Sequence, residues 1–158
     1  MIDTHAHLYS NMFELDVENV LQSAKQAGVR KVFLPAIDSN THSQMLNLQA
    51  LHSNFCHAML GLHPCSVKDD FQNELDIINA LIQNVKVYGI GETGLDFYWD
   101  KTFLSQQYEA LHAQINLALL HELPLILHTR NATKETIAVI NEYKGSCLLY
   151  TSPSPRDS

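Results

Sequence analysis

The sequence predicts an α/β fold, a partial TIM (β/α)8 barrel of about five βα units plus the start of a sixth strand, on two observations. Short apolar runs of β type alternate with longer stretches of helical periodicity, the pattern of parallel strands joined by crossover helices. Polar residues suited to chemistry recur at the C-terminal ends of the first, third, fourth and fifth runs, where a barrel collects its active site from several strands. With 158 residues and 46% apolar content the sequence is long enough for one domain with a core. Length alone would suit an open doubly wound sheet, since a complete barrel takes about 250 residues, but the strand-end pattern favours the barrel.

Strands are expected at residues 1–5, 31–37, 56–62, 86–91 and 124–128, with a sixth starting near Ser146. Asp16 is the capping candidate of a first helix whose apolar face carries Val17, Val20, Leu21 and Ala24, and Gly28 supplies its stop. A second helix is read over residues 41–53 and a third over 71–84, the latter with Leu75, Ile78, Leu81 and Ile82 as its stripe. Leu104, Tyr108, Leu111, Ile115, Ala118 and Leu119 mark a long fourth helix, and Thr133, Ile137 and Ile140 a fifth. Residues 1–147 therefore read as the N-terminal part of a barrel domain. Residues 148–158 read as a Ser/Pro-rich disordered tail, expected to be non-native.

A formal charge of −7 excludes a general coating of nucleic acid, so any contact with a phosphate backbone must come from a local site or a bound cation. The three cysteines, Cys56, Cys65 and Cys147, form no C-x-x-C pair, which argues against a disulfide framework and a thiolate zinc knuckle. No apolar run approaches the roughly 18 residues of a membrane span, and the start has no basic segment leading into an apolar one. A cytoplasmic protein without a membrane role is expected, and no protein partner is inferable.

The first strand ends Asp3-Thr4-His5-Ala6-His7, and a side-chain period of two puts His5 and His7 on one side, close enough to chelate one ion. Asp3 could orient one of them. Alone, this H-x-H reads more readily as two partly exposed strand-end histidines. The fourth strand, however, runs into Gly91-Glu92-Thr93-Gly94, offering a carboxylate able to bridge two cations. The fifth delivers His128, followed by Arg130, whose guanidinium suits a bidentate phosphate contact. Three strands placing ligand-type residues at one end point to a two-metal hydrolase, in which paired cations activate water and stabilise the attacking and leaving oxygens. His63 lies at the same rim, where it could meet a substrate phosphate or a metal-bound water, or serve as a structural histidine before Pro64. The glycines of residues 89–94 also fit G-x-G-x-x-G, but residues 95–100 intervene before any helix and Glu92 would face a pyrophosphate, which argues against a dinucleotide site.

Asp3-Thr4-His5-Ala6-His7-Leu8, Gly61-Leu62-His63-Pro64, Gly91-Glu92-Thr93-Gly94-Leu95-Asp96-Phe97-Tyr98 and Pro124-Leu125-Ile126-Leu127-His128-Thr129-Arg130 resemble, in order and spacing, the successive signatures of TatD-like deoxyribonucleases. The resemblance covers about residues 1–145 and implies an amidohydrolase-type TIM barrel that hydrolyses phosphodiester bonds in DNA with two divalent metal ions, Mg2+, Mn2+ or Zn2+. It places His5 and His7 on one metal, Glu92 between the metals and His128 on the other. It assigns Glu92 and His63 to catalysis, and His63, Arg130, Asp96 and Tyr98 to the DNA substrate or its positioning. Cys65 stands where many members carry a second histidine. The family's further ligands, a histidine after strand six and an aspartate after strand eight, lie beyond this sequence, so the 158 residues are expected to be inactive or weakly active by themselves. The alternatives are a related amidohydrolase acting on a small amide or ester, and a non-catalytic metal-binding fragment.

Overall fold

The computed structural model describes residues 1–143 and the backbone of Tyr150–Thr151. Its strands are β1 (Ile2–Asp3), β2 (Lys31–Pro35), β3 (Cys56–Met59), β4 (Ile90–Asp96), β5 (Leu125–Arg130) and β6 (Tyr150–Thr151). They alternate with α1 (Val17–Gln26), α2 (Ser39–Leu51), α3 (Phe71–Ile82), α4 (Leu104–Leu120) and α5 (Thr133–Glu142). Every described pairing is parallel. The strands lie in chain order, β1-β2-β3 in one ladder and β4-β5-β6 in a second, with a parallel bridge between Leu60 and Ile90 joining them. A doubly wound sheet reverses its strand order at a switch point, whereas unbroken sequential order is how a (β/α) barrel begins to close.

The core lies between the strands and the helices that cover them. Leu34, Leu60, Leu62, Leu95 and Leu125 from the strand layer and Leu21, Met45, Ile78, Leu111 and Ile115 from the helices are fully enclosed. Each such side chain contributes about 1.5–3 kcal/mol by leaving water. Among the described residues no helix is long and apolar enough to cross a membrane.

Most boundaries shift by a few residues from the sequence expectation, and three of the shifts have a local physical reason. The first strand is short, yet Ala6 N–H still donates to the Phe33 carbonyl at 3.1 Å, so the chain runs on beside β2 as far as the histidines. The second helix starts at Ser39 because Thr41 Oγ1 accepts the Asp38 N–H, making Thr41 the third helical residue. The fourth strand lies later than residues 86–91. Its Gly-Glu-Thr-Gly stretch reads locally as a loop, but here the glycines let backbones meet. A Cβ on Gly91 would lie 2.6 Å from the Ile126 carbonyl, one on Gly94 would collide with the His128 carbonyl, and both glycines have positive φ. The β4–β5 register slips between Ile90 and Thr93 at that point. Ser146, near which a sixth strand is expected, and residues 148–149 and 152–158 of the expected tail lie outside the described residues. Within that tail, Tyr150–Thr151 pair with Leu125 and Ile126.

Candidate metal centre

His5 and His7 follow β1 with their side chains on one side, their Nε2 atoms 3.3 Å apart. Both face Glu92, whose Oε2 lies 3.0 Å from His5 Nε2 and 3.6 Å from His7 Nε2. The other carboxylate oxygen, Oε1, lies 3.2 Å from His128 Nδ1 and 4.0 Å from His63 Nε2. One buried carboxylate thus sits between two histidine pairs. In each of the groups His5, His7, Glu92 and His63, Glu92, His128, the candidate ligand atoms lie within 4.8 Å of one another.

Glu92 stands inside β4, not beyond it, and still reaches the histidines because barrel strands are staggered. Glu92 N–H donates to the Ala36 carbonyl (3.2 Å) and Ala36 N–H to the Gly91 carbonyl (3.1 Å), which sets the middle of β4 level with the end of β2. Burial opposes its negative charge, but its contacts with the rings of His128, His5 and His7 outweigh that, and its carboxyl is held far below the ordinary range.

The hydrogen bonds around the rings decide which nitrogens carry lone pairs. Tyr9 O–H donates to the Pro35 carbonyl at 2.6 Å, so its oxygen accepts from His7 Nδ1–H at 2.8 Å, leaving His7 Nε2 as a lone pair aimed at the cluster. His128 Nε2–H donates to Asp96 Oδ2 at 2.9 Å, which directs Nδ1 inward. Burial pulls the His128 pKa down, but its contacts with Glu92 and Asp96 raise it overall, and a cation at Nδ1 would take the place of that proton. His63 differs. Its Nδ1 accepts the Cys65 N–H at 3.1 Å, so a neutral His63 carries its proton on Nε2 and presents a donor to the centre. Burial, partly offset by Glu92, lowers the His63 pKa to about 4, which keeps the ring neutral at pH 7. The donor set of imidazole nitrogen and ionised carboxylate, with ring orientations fixed from behind, suits a divalent cation on each side of Glu92.

Asp96, which the resemblance gives to substrate, is 1% exposed and committed elsewhere. Oδ2 takes His128 Nε2–H and, at 3.4 Å, the Cys65 thiol, while Oδ1 accepts the backbone N–H groups of Tyr98 (2.9 Å) and Trp99 (3.1 Å). Burial and Asp96 push the Cys65 thiol up to about 12, so Cys65 is a neutral donor here. Asp3 shapes backbone, its carboxylate accepting the His5 N–H at 3.1 Å. Arg130 lies over Tyr98, its guanidinium carbon 3.9 Å from the ring centroid.

The sequence reading missed Tyr9, Trp99 and two glutamines of α4. Gln114 accepts the Leu62 N–H at 2.8 Å and donates to Thr93 Oγ1 at 2.7 Å, while Gln107 accepts the Asp96 N–H at 2.9 Å. Both are buried and hold the irregular backbone of β4 beside the cluster. Their seven-residue spacing, on the face that also carries Leu111 and Ala118, was a legible signal, because polar residues on an apolar stripe need partners.

A family model described as TatD related DNase matches residues 2–150. The chain is 34% identical over 142 residues to the uncharacterized metal-dependent hydrolase YabD of Bacillus subtilis, covering 90% of this chain and 55% of that protein. It is 29% identical over 143 residues to the 3′-5′ ssDNA/RNA exonuclease TatD of Erwinia amylovora, covering 90% and 55%. The crystal structure of YjjV, the Escherichia coli TatD homolog, superposes with a TM-score of 0.79 at 33% identity, covering 90% of this chain and 56% of that one. A TatD family hydrolase from Entamoeba histolytica shares the fold at a TM-score of 0.72 and 22% identity, covering 92% and 56%. The chain therefore spans about half the length of these relatives.

Proposed function

The chain belongs to the TatD related DNase family, and from that premise we propose that residues 1–143 carry the metal-binding half of a phosphodiesterase acting on DNA. The observation that carries the reading is the single Glu92 carboxylate shared between two histidine pairs, one oxygen to each side. His5 and His7 would hold one divalent cation, His128 a second, and Glu92 would bridge them. Bound there, two cations supply an activated water and neutralise charge on the attacking and leaving oxygens of an in-line displacement. The protein groups do the rest. Tyr9 and Asp96 orient the ligand rings, His63 Nε2–H donates toward a phosphoryl oxygen, and Arg130 offers a further cationic contact to the same ester.

The test is hydrolysis of a single-stranded oligodeoxynucleotide with Mg2+ or Mn2+, by a protein carrying these residues within the full length of the relatives. Metal-dependent release of nucleotides, abolished by Glu92→Gln, is expected. Cleavage of a cyclic amide without cleavage of DNA would overturn the reading in favour of an amidohydrolase. Calorimetry on the present chain separates the remaining alternative: equal cation binding by wild type and His5→Ala would show that the assigned residues are not the site.

A further inference from the structure

The segment that follows β4 carries two large aromatic side chains that the fold leaves in water. Tyr98 is 51% exposed and Trp99 67% exposed. Their rings meet edge to face, with centroids 4.8 Å apart at 88°. The guanidinium of Arg130, at the end of β5, lies over the Tyr98 ring at 3.9 Å and 5.2 Å from that of Trp99. Among the described residues Arg130 has no carboxylate partner. Isolated exposed aromatics are ordinary on protein surfaces, but two neighbours joined to an uncompensated arginine form an amphipathic patch that water solvates poorly.

The patch is tied to the metal centre by one residue. Asp96 Oδ1 accepts the Tyr98 and Trp99 N–H groups, and Asp96 Oδ2 accepts from His128. A ligand lying on the aromatics therefore rests on a segment whose backbone is anchored by the same carboxylate that orients His128. Such a ligand must offer a flat π-face to the indole and an anionic oxygen to the guanidinium, and a nucleotide unit of a single strand offers both. In a duplex interior both faces of each base are already stacked. Net charge adds to the case, because a chain at −7 cannot hold a polyanion by bulk attraction and needs contacts of this local, partly apolar kind.

We propose that Trp99, with Tyr98 and Arg130, is a stacking platform for an unpaired nucleobase, holding the strand so that its neighbouring phosphate reaches the metal centre. The inference rests on the phosphodiesterase reading above and adds to it the group that recognises the base.

Trp99 is the only tryptophan of the chain, so its fluorescence reports on its own ring. The chain, in Mg2+ buffer, is titrated with a phosphorothioate oligothymidylate and with the same backbone carrying tetrahydrofuran in place of every base. Quenching of Trp99 by the first and not the second is expected. Anisotropy of the labelled oligomers should show Trp99→Ala weakening binding of the base-bearing strand about 5- to 100-fold and leaving the abasic strand unchanged, with Trp99→Phe restoring most of the loss. Circular dichroism of each variant checks that this exposed substitution leaves the fold intact. Equal binding and equal quenching by both oligomers, or an unchanged affinity in Trp99→Ala, overturns the platform and leaves the phosphodiesterase reading standing. Binding of neither oligomer likewise overturns the platform, whereas the phosphodiesterase reading falls only if the full-length protein fails to hydrolyse DNA.

Discussion

The two ladders of the barrel supply the candidate centre in different ways. The β1-β2-β3 side contributes His5, His7 and His63, all on chain that has left its strand, with His7 oriented by donating Nδ1–H to Tyr9 and His63 by accepting the Cys65 N–H. The β4-β5 side contributes Glu92, Asp96 and His128 from within strands, buried, mutually hydrogen-bonded and braced by glutamines from α4. The first side is assembled from loops and the second is built into the sheet. Ligands of the second kind are oriented before any cation arrives, so their loss should be felt more strongly.

The comparison breaks most completely at Glu92, which belongs to both sides. Glu92→Gln should reduce cation affinity by more than about 100-fold, since it removes the only carboxylate that each described ligand group contains. Calorimetry with Mn2+ measures it, and a loss confined to one of two binding events would show that the carboxylate is not shared. Asp96→Asn comes next. It weakens the support of His128 and should cost about 10- to 100-fold in affinity on the β4-β5 side alone. Tyr9→Phe removes the acceptor for His7 Nδ1–H and should cost about 10-fold on the other side; a Tyr9→Phe effect larger than that of Asp96→Asn would reverse the ranking of the two sides.

The remaining predictions concern stability. Gln114→Leu strands the Leu62 N–H and should lower unfolding free energy by about 2 kcal/mol in urea, without changing which residues bind metal. The smallest effect belongs to pH. His57 lies buried on β3 against Phe33 and Tyr88, and His42 is buried in α2; burial lowers both pKa values, helped by Lys31 and Lys86 at His57 and opposed by the Gly61 carbonyl, Glu74 and Asp38 at His42. Below the ordinary value of 6.5 the unfolded chain binds protons that the folded chain refuses, so these two groups make the fold less stable as pH falls through that value. His57→Phe should flatten part of the decline in melting temperature below pH 6.5, and an unchanged slope would remove His57 from the account.

Much of this was legible in the sequence because it depends on local periodicity. Of the stripe Leu75, Ile78, Leu81 and Ile82, three are buried on α3 and Leu81 packs half-buried against the core, and the long stripe from Leu104 does form α4. The spacing of His5 and His7 does set their rings side by side. What was not legible depends on residues far apart in the chain. The strand through Gly91 and Gly94 reads as loop until Ile126 and His128 are placed against it. The proton on His63 Nε2 follows from a turn backbone, and the burial of Asp96 from contacts with His128 and Cys65, none of which any window of sequence contains.

The two oxygens of Asp96 have a consequence for thermodynamic linkage. One is bound to the ring of His128 and the other to the backbone under Tyr98 and Trp99, so the carboxylate cannot follow one without leaving the other. If His128 holds a cation and the aromatic segment a ligand, each would change the affinity for the other by the same factor in both directions.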